Sequence, residues 1–241
     1  MVLALDEFEE IERKLTEGSI SQDLMPFLRN MMQHRQGITL LFAGTHTLNQ
    51  LIQDYWSPYF RSAVSCRVSY LNELDARNLI VAPIEDFPLN YEPEAVDLII
   101  EITNCHPCLT QLTCMELVDL KNDQHSHNAS VEDANEACSK ALQSGDYVFR
   151  GIWEWIPHEE RTALYLLATA ERATAADLAG LLHTTEDLIL ARMERLSDVG
   201  IVESGEEIGR PCYGFQVEML RRWVVRHGAR AELGRKQQLV S

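Results

Sequence analysis

The chain has 241 residues, 46% of them hydrophobic, and a formal net charge of −16. That is enough apolar material for one large core or two small ones, but no unbroken apolar run reaches the ~18 residues that a membrane span needs. Residues 1–120 carry 7 basic and 18 acidic side chains, so the basic footprint required by a phosphate backbone is missing until the last twenty residues. The start of the chain is apolar and then acidic, unlike a secretory signal. The six cysteines are scattered, which suits reduced thiols in a cytoplasmic protein.

Val2–Leu5 reads as a short buried strand ending at Asp6 and Glu7. Charged and apolar residues over 8–17 predict a helix stopped by Gly18. Leu24, Leu28, Met31 and Met32 predict a second over 22–35, with Gly37 just past its end. Ile38–Ala43 is almost continuously apolar between two glycines, the pattern of a strand covered on both faces. Helical spacing returns near Thr47–Gln53, and Val64–Tyr70 reads as another strand.

Helices dominate the middle of the chain. Asn72 caps one that ends at Pro83, Pro93 starts a second and Pro107 a third. Residues 121–130 are polar and read as a loop; Val131–Leu142 reads as a short helix. Trp153 and Trp155 read as core residues. Helices over 158–169, 174–182 and 185–198 then precede a hairpin of Ile201–Glu203 and Tyr213–Val217. That succession is the winged-helix pattern. A final helix is expected over Glu218–His227.

The chemistry concentrates at two places. An apolar strand delivering Asp6 and Glu7 at its carboxyl end matches the arrangement in which one carboxylate holds Mg²⁺ through water and the next polarises an attacking water. The following strand ends in Gly44-Thr45-His46, where a polar side chain could sense a γ-phosphate. Equally, Gly44-Thr45 could simply turn the chain.

In order and spacing, these segments resemble the STAND-type AAA+ ATPases of bacteria and archaea. Leu-Ala-Leu-Asp-Glu-Phe-Glu, Ile-Thr-Leu-Leu-Phe-Ala-Gly-Thr-His and Tyr-Leu-Asn-Glu-Leu-Asp-Ala-Arg-Asn-Leu-Ile-Val-Ala-Pro carry the likeness. Thr103-Asn104-Cys105-His106-Pro107-Cys108-Leu109 resembles that family's Gly-Gly-His-Pro-Tyr-Leu segment, whose proline and following helix lie against the nucleotide. The resemblance implies an α/β fold: a partial P-loop NTPase core over 1–70, an all-helical lid over 71–145 and a winged-helix domain over 146–241. It implies that Asp6 holds Mg²⁺, Glu7 polarises water, Thr45 or His46 senses the γ-phosphate, and His106 and Pro107 line ATP. Protein partners or self-association would follow from nucleotide exchange.

Three departures stand out. No Gly-x-x-x-x-Gly-Lys-Ser/Thr phosphate loop occurs, so the chain reads as a fragment or truncated member with little hydrolysis of its own. Asn104 and Cys105 stand where the family has glycines. His46 occupies the neighbourhood of an expected arginine, for which Arg61 or Arg67 are the nearest substitutes.

Cys105-His106-Pro107-Cys108 could mark thiol exchange, yet no strand precedes it in a βαβ setting, and no second pair completes a zinc set. The alternative function is a winged-helix interaction or DNA-binding regulator without enzymatic activity. Its recognition helix, 185–198, carries Glu186, Asp187, Glu194 and Asp198 against Arg192 and Arg195, which argues against nucleic acid as the partner.

Overall fold

The computed structural model describes residues 1–44, 64, 66, 68–207 and 210–227. They divide into two compact units, Met1–Ser69 and Tyr70–Ser241. Among the described residues, no helix is long and apolar enough to cross a membrane.

The first unit runs β1 (Val2–Leu5), α1 (Glu9–Thr16), α2 (Leu24–His34) and β2 (Thr39–Phe42). The strands pair in parallel, Val2 opposite Thr39 and Leu5 opposite Phe42, and the two helices form the crossover that a parallel pair requires. Phe8, Leu15, Met25 and Leu28 are buried, with Leu5, Leu40 and Phe42 packed against them. The Phe8 ring meets Phe42 edge-on at 4.8 Å.

The strands themselves differ from expectation. Val2 is 68% and Leu41 56% exposed. Strand side chains alternate between faces: Leu40 and Phe42 turn toward the helices, and no described element of this unit covers the opposite face. The helix anticipated near Thr47–Gln53 lies outside the described residues. So does part of the strand anticipated over Val64–Tyr70, of which residues 64, 66 and 68–70 are not in a strand.

The second unit begins with α3 (Glu73–Val81), whose cap is Asn72: its Oδ1 accepts from the Asp75 backbone N–H at 2.9 Å. β3 (Asn90–Tyr91), α4 (Pro93–Thr103), α5 (Pro107–Asp123), β4 (Asn128–Ala129) and α6 (Val131–Ser144) follow. Both α4 and α5 carry proline in the first turn, where its missing N–H costs nothing.

The polar stretch over 121–130 is not the loop its composition suggests. α5 continues through Asp123, and Asn128–Ala129 pairs in parallel with Asn90–Tyr91. Lys121 is buried and pairs with Asp133 at 2.8 Å. Asp133 in turn closes a capping box with Ser130 at the start of α6. Pairing a buried ammonium with a carboxylate offsets the cost of taking it out of water.

α7 (Asp146–Trp155), α8 (His158–Ala170), β5 (Arg172–Thr174), α9 (Ala175–Leu182), α10 (Glu186–Asp198), β6 (Val202–Glu207) and β7 (Arg210–Phe215) follow, and residues 218–227 form a further helix, α11. The sheet order is β5-β7-β6, antiparallel throughout. The hairpin is longer than expected, and β5 was not legible in the sequence. On α7, Trp153 is buried but Trp155 is exposed, because residues two apart on a helix face nearly opposite ways.

One core joins these parts. It runs from Ile102 and Leu109 through Ala141, Phe149, Leu164, Leu178 and Met193 to Trp223 and Val224. Trp223 lies roughly parallel to Phe149, 6.0 Å away, and its indole N–H donates to Asp146 Oδ1 at 2.9 Å, which satisfies the one polar atom of a buried ring.

Candidate functional site

At the carboxyl end of β1 the ladder with β2 outlasts both strands. The Ala43 N–H donates to the Leu5 carbonyl at 2.9 Å, and the Phe8 N–H to the Ala43 carbonyl at 3.0 Å. Between these anchors the chain makes a tight bend. Glu7 has φ +50, a left-handed conformation that costs a non-glycine residue about 1 kcal/mol or more. Its N–H donates to Asp6 Oδ1 at 3.0 Å. Phe8, buried beneath, fixes the bend from below.

Asp6 and Glu7 are therefore both exposed, side by side, at the carboxyl end of parallel strands, where open α/β sheets bind ligands. Among the described residues no group of three or more His, Cys, Asp or Glu could hold a metal. Two carboxylates are a poor cage for zinc or calcium. They are an adequate one for Mg²⁺, which keeps several waters and takes one or two protein carboxylates beside its phosphates. Thr45 and His46 lie outside the described residues.

His106 and Pro107 sit in the second unit, at the turn from α4 to α5. Asn104 (φ +46) and Cys105 (φ +57) are both left-handed; His106 is extended and precedes Pro107 in the first turn of α5. These are the two positions where glycines were missed in the sequence. The backbone keeps the left-handed geometry without them, easily at Asn104 and under strain at Cys105.

Contacts from distant segments hold this turn. Asn104 Nδ2 donates to the Gln216 carbonyl at 2.7 Å, and the Leu71 N–H to the Cys105 carbonyl at 3.1 Å. The Tyr70 ring lies 5.0 Å from the His106 imidazole, and its hydroxyl donates to the Gly200 carbonyl at 3.2 Å. Among the described residues, buried His106 Nδ1 has no hydrogen-bond partner. Burial holds the imidazole below its ordinary pKa, which favours the neutral ring. Tyr70 entered the sequence reading only as an end residue of a strand and of a resembling segment, and Gln216 only inside the hairpin, because their partners are remote in the chain.

The thiol readings lose ground on geometry. The cysteines are free, and burial pushes the Cys105 thiol up, opposite to what a reactive thiolate needs. Cys114 and Cys138 are pushed up to about 12 and about 11 by burial, as expected of apolar fillers.

No family model and no curated protein sequence matches the chain. Solved structures of RuvB from Thermotoga maritima align with it. The one described as a Holliday junction branch migration motor is 14% identical at a TM-score of 0.48, covering 87% of this chain and 65% of its own. Two mutant forms give 13% and 14% identity at TM-scores of 0.48 and 0.47, again over 87% of this chain. The chain spans just under two thirds of the length of those structures, 65–66%. A likeness this loose assigns neither a fold family nor an activity.

Proposed function

We propose that the chain works as a STAND-type AAA+ nucleotide switch. It joins the acidic strand of the core to a helical lid and a winged-helix domain, and hydrolyses little ATP by itself. The observation that carries this reading is the bend at Glu7, which holds Asp6 and Glu7 exposed at the carboxyl end of β1, beside the parallel strand β2. The successive left-handed residues at Asn104 and Cys105, where the family has glycines, are a second support.

In this reading Asp6 holds Mg²⁺ through water, and the ion would neutralise phosphate charge when bound. Glu7 orients and polarises a water, Thr45 or His46 contacts the terminal phosphate, and His106 and Pro107 flank the nucleotide. ATP and ADP are the ligands, with protein partners or further copies of the chain responding to the exchange. A DNA-binding regulator is the weaker reading, because the outward face of α10 is acidic.

Mn²⁺ broadening of backbone NMR signals in the presence of ATP tests the site. Residues 5–8 should broaden in the wild type and not in Asp6→Asn, and steady-state turnover should stay near background. Signals over 5–8 that are untouched by Mn²⁺ and ATP, or broadened equally in the variant, would refute the proposal.

A further inference from the structure

We infer that Tyr70 is a positioning residue for His106, coupling the turn between α4 and α5 to the base of the β6–β7 hairpin. Segments far apart in sequence meet at this turn. The Tyr70 hydroxyl donates to the Gly200 carbonyl at 3.2 Å while its ring lies 5.0 Å from the His106 imidazole. The next residue, Leu71, donates its N–H to the Cys105 carbonyl at 3.1 Å. Asn104 Nδ2 reaches the Gln216 carbonyl at 2.7 Å. The two remote acceptors belong to one piece of structure: the Gln216 N–H donates to the Ile201 carbonyl at 3.0 Å, and Val202 pairs with Phe215 just beyond. A shift of the hairpin base therefore moves the Gly200 and Gln216 carbonyls together, and both pull on the turn.

The turn does not keep its shape by local chemistry. Asn104 and Cys105 are consecutive left-handed residues without glycine, a conformation that persists only where the surroundings over-determine it. The remote bonds supply that constraint. Among the described residues His106 Nδ1 has no hydrogen bond, so packing, in which the Tyr70 ring takes part, orients that side of the imidazole. Tyr70 thus joins two tasks: its ring holds His106, and its hydroxyl follows Gly200. A strained turn held by distant contacts is an element with two arrangements, and the hairpin base biases which one is filled. The consequence for a ligand rests on the reading of His106 and Pro107 as residues that flank a nucleotide: displacement at Gly200 changes nucleotide affinity through Tyr70.

NMR of the full chain tests this, with the imidazole signals of His106 and the amide exchange of Leu71 as reporters. Tyr70→Phe keeps the ring and removes only the hydroxyl. It should shift the His106 signals and speed Leu71 exchange about fivefold, the effect of one lost hydrogen bond. Gly200→Ala disturbs the far side without altering any residue of the turn: φ there is +75, and a Cβ would meet Gln216 Oε1 at 3.1 Å. It should move the same His106 signals. Ile189→Val, a core truncation on α10, should leave them in place. If Gly200→Ala does not fold, Tyr70→Phe decides alone. Titration with ATP and Mg²⁺ separates this inference from the reading of the site. Wild-type binding that changes about fivefold in Tyr70→Phe supports both. No binding by the wild type refutes the nucleotide reading, and the coupling is then decided by the His106 and Leu71 reporters. Reporters unchanged in Tyr70→Phe, His106 signals unmoved in a folded Gly200→Ala, equal shifts from Ile189→Val, or an ATP affinity indifferent to Tyr70→Phe would each overturn the inference.

Discussion

Asn104 Nδ2 donates to the backbone carbonyl of Gln216 at 2.7 Å, a bond that spans 112 residues of sequence. It ties the turn between α4 and α5 to the segment after β7, while the asparagine itself tolerates the left-handed φ of +46. Two separable contributions follow. Asn104→Gly keeps the backbone and loses the bond, at a cost of about 1 kcal/mol. Asn104→Ala loses both, about 2 kcal/mol in all. Urea unfolding should therefore order the three proteins as wild type, glycine variant, alanine variant. Equal stability of the two variants would mean that the backbone conformation costs nothing.

Gly145 stands between α6 and α7 with no space for a side chain. A Cβ there would lie 2.5 Å from Leu112 Cδ2 and 2.8 Å from the Ala141 carbonyl oxygen. Leu112 can swing aside, but the carbonyl is backbone. Gly145→Ala is expected to cost about 1–3 kcal/mol as overpacking. Adding Leu112→Ala should recover only part of the strain from the glycine change in a double-mutant cycle. Full additivity of the two changes in thermal melts would contradict the contact.

The carboxylate of Glu160 is 1% exposed, while its partner Arg195 is 57% exposed. Among the described residues Glu160 Oε1 accepts no hydrogen bond, and the Arg195 guanidinium it pairs with supplies the compensating charge. Arg195→Ala leaves a buried charge alone and should cost about 3 kcal/mol. Glu160→Leu combined with Arg195→Met removes both charges and should restore most of that loss. Chemical denaturation of the single and double variants checks the order. A double variant no more stable than Arg195→Ala would rule out charge burial as the cause.

His106 gives the chain a specific pH dependence. Its folded pKa lies below the ordinary 6.5 because burial disfavours the imidazolium. As pH falls through about 6.5 the unfolded chain takes up a proton that the folded chain resists. The native state therefore loses stability from that point down to the folded pKa, by at most about 1.4 kcal/mol per pH unit from this group. Above 6.5 the group contributes no slope. Comparing wild type with His106→Gln across pH 7.5 to 5.5 should show a shallower acid loss in the variant; parallel curves would assign the loss to other groups.

Features fixed by local chemistry were legible in the sequence. The cap at Asn72, the prolines opening α4 and α5, and the 3.6-residue spacing over 158–170 need only neighbours within a turn or two. Features that depend on remote partners were not. Lys121 looks solvated until Asp133 is brought beside it, and Arg172–Thr174 becomes a strand only because Cys212–Gly214 lies alongside. The position of Asp6 and Glu7 at a strand tip was readable from Val2–Leu5. The bend at Glu7 was not, because the ladder bonds around Ala43 impose it.

The apolar interior that runs unbroken from Ile102 to Val224 constrains how this protein can be taken apart. Severing the chain at Gly145 would leave Ile102, Leu109 and Ala141 on one piece and Phe149, Leu164 and Trp223 on the other, each with a raw greasy flank facing water. Such halves should clump when made separately and become soluble only when produced together, so the whole second unit, Tyr70–Ser241, is the smallest sensible piece to express.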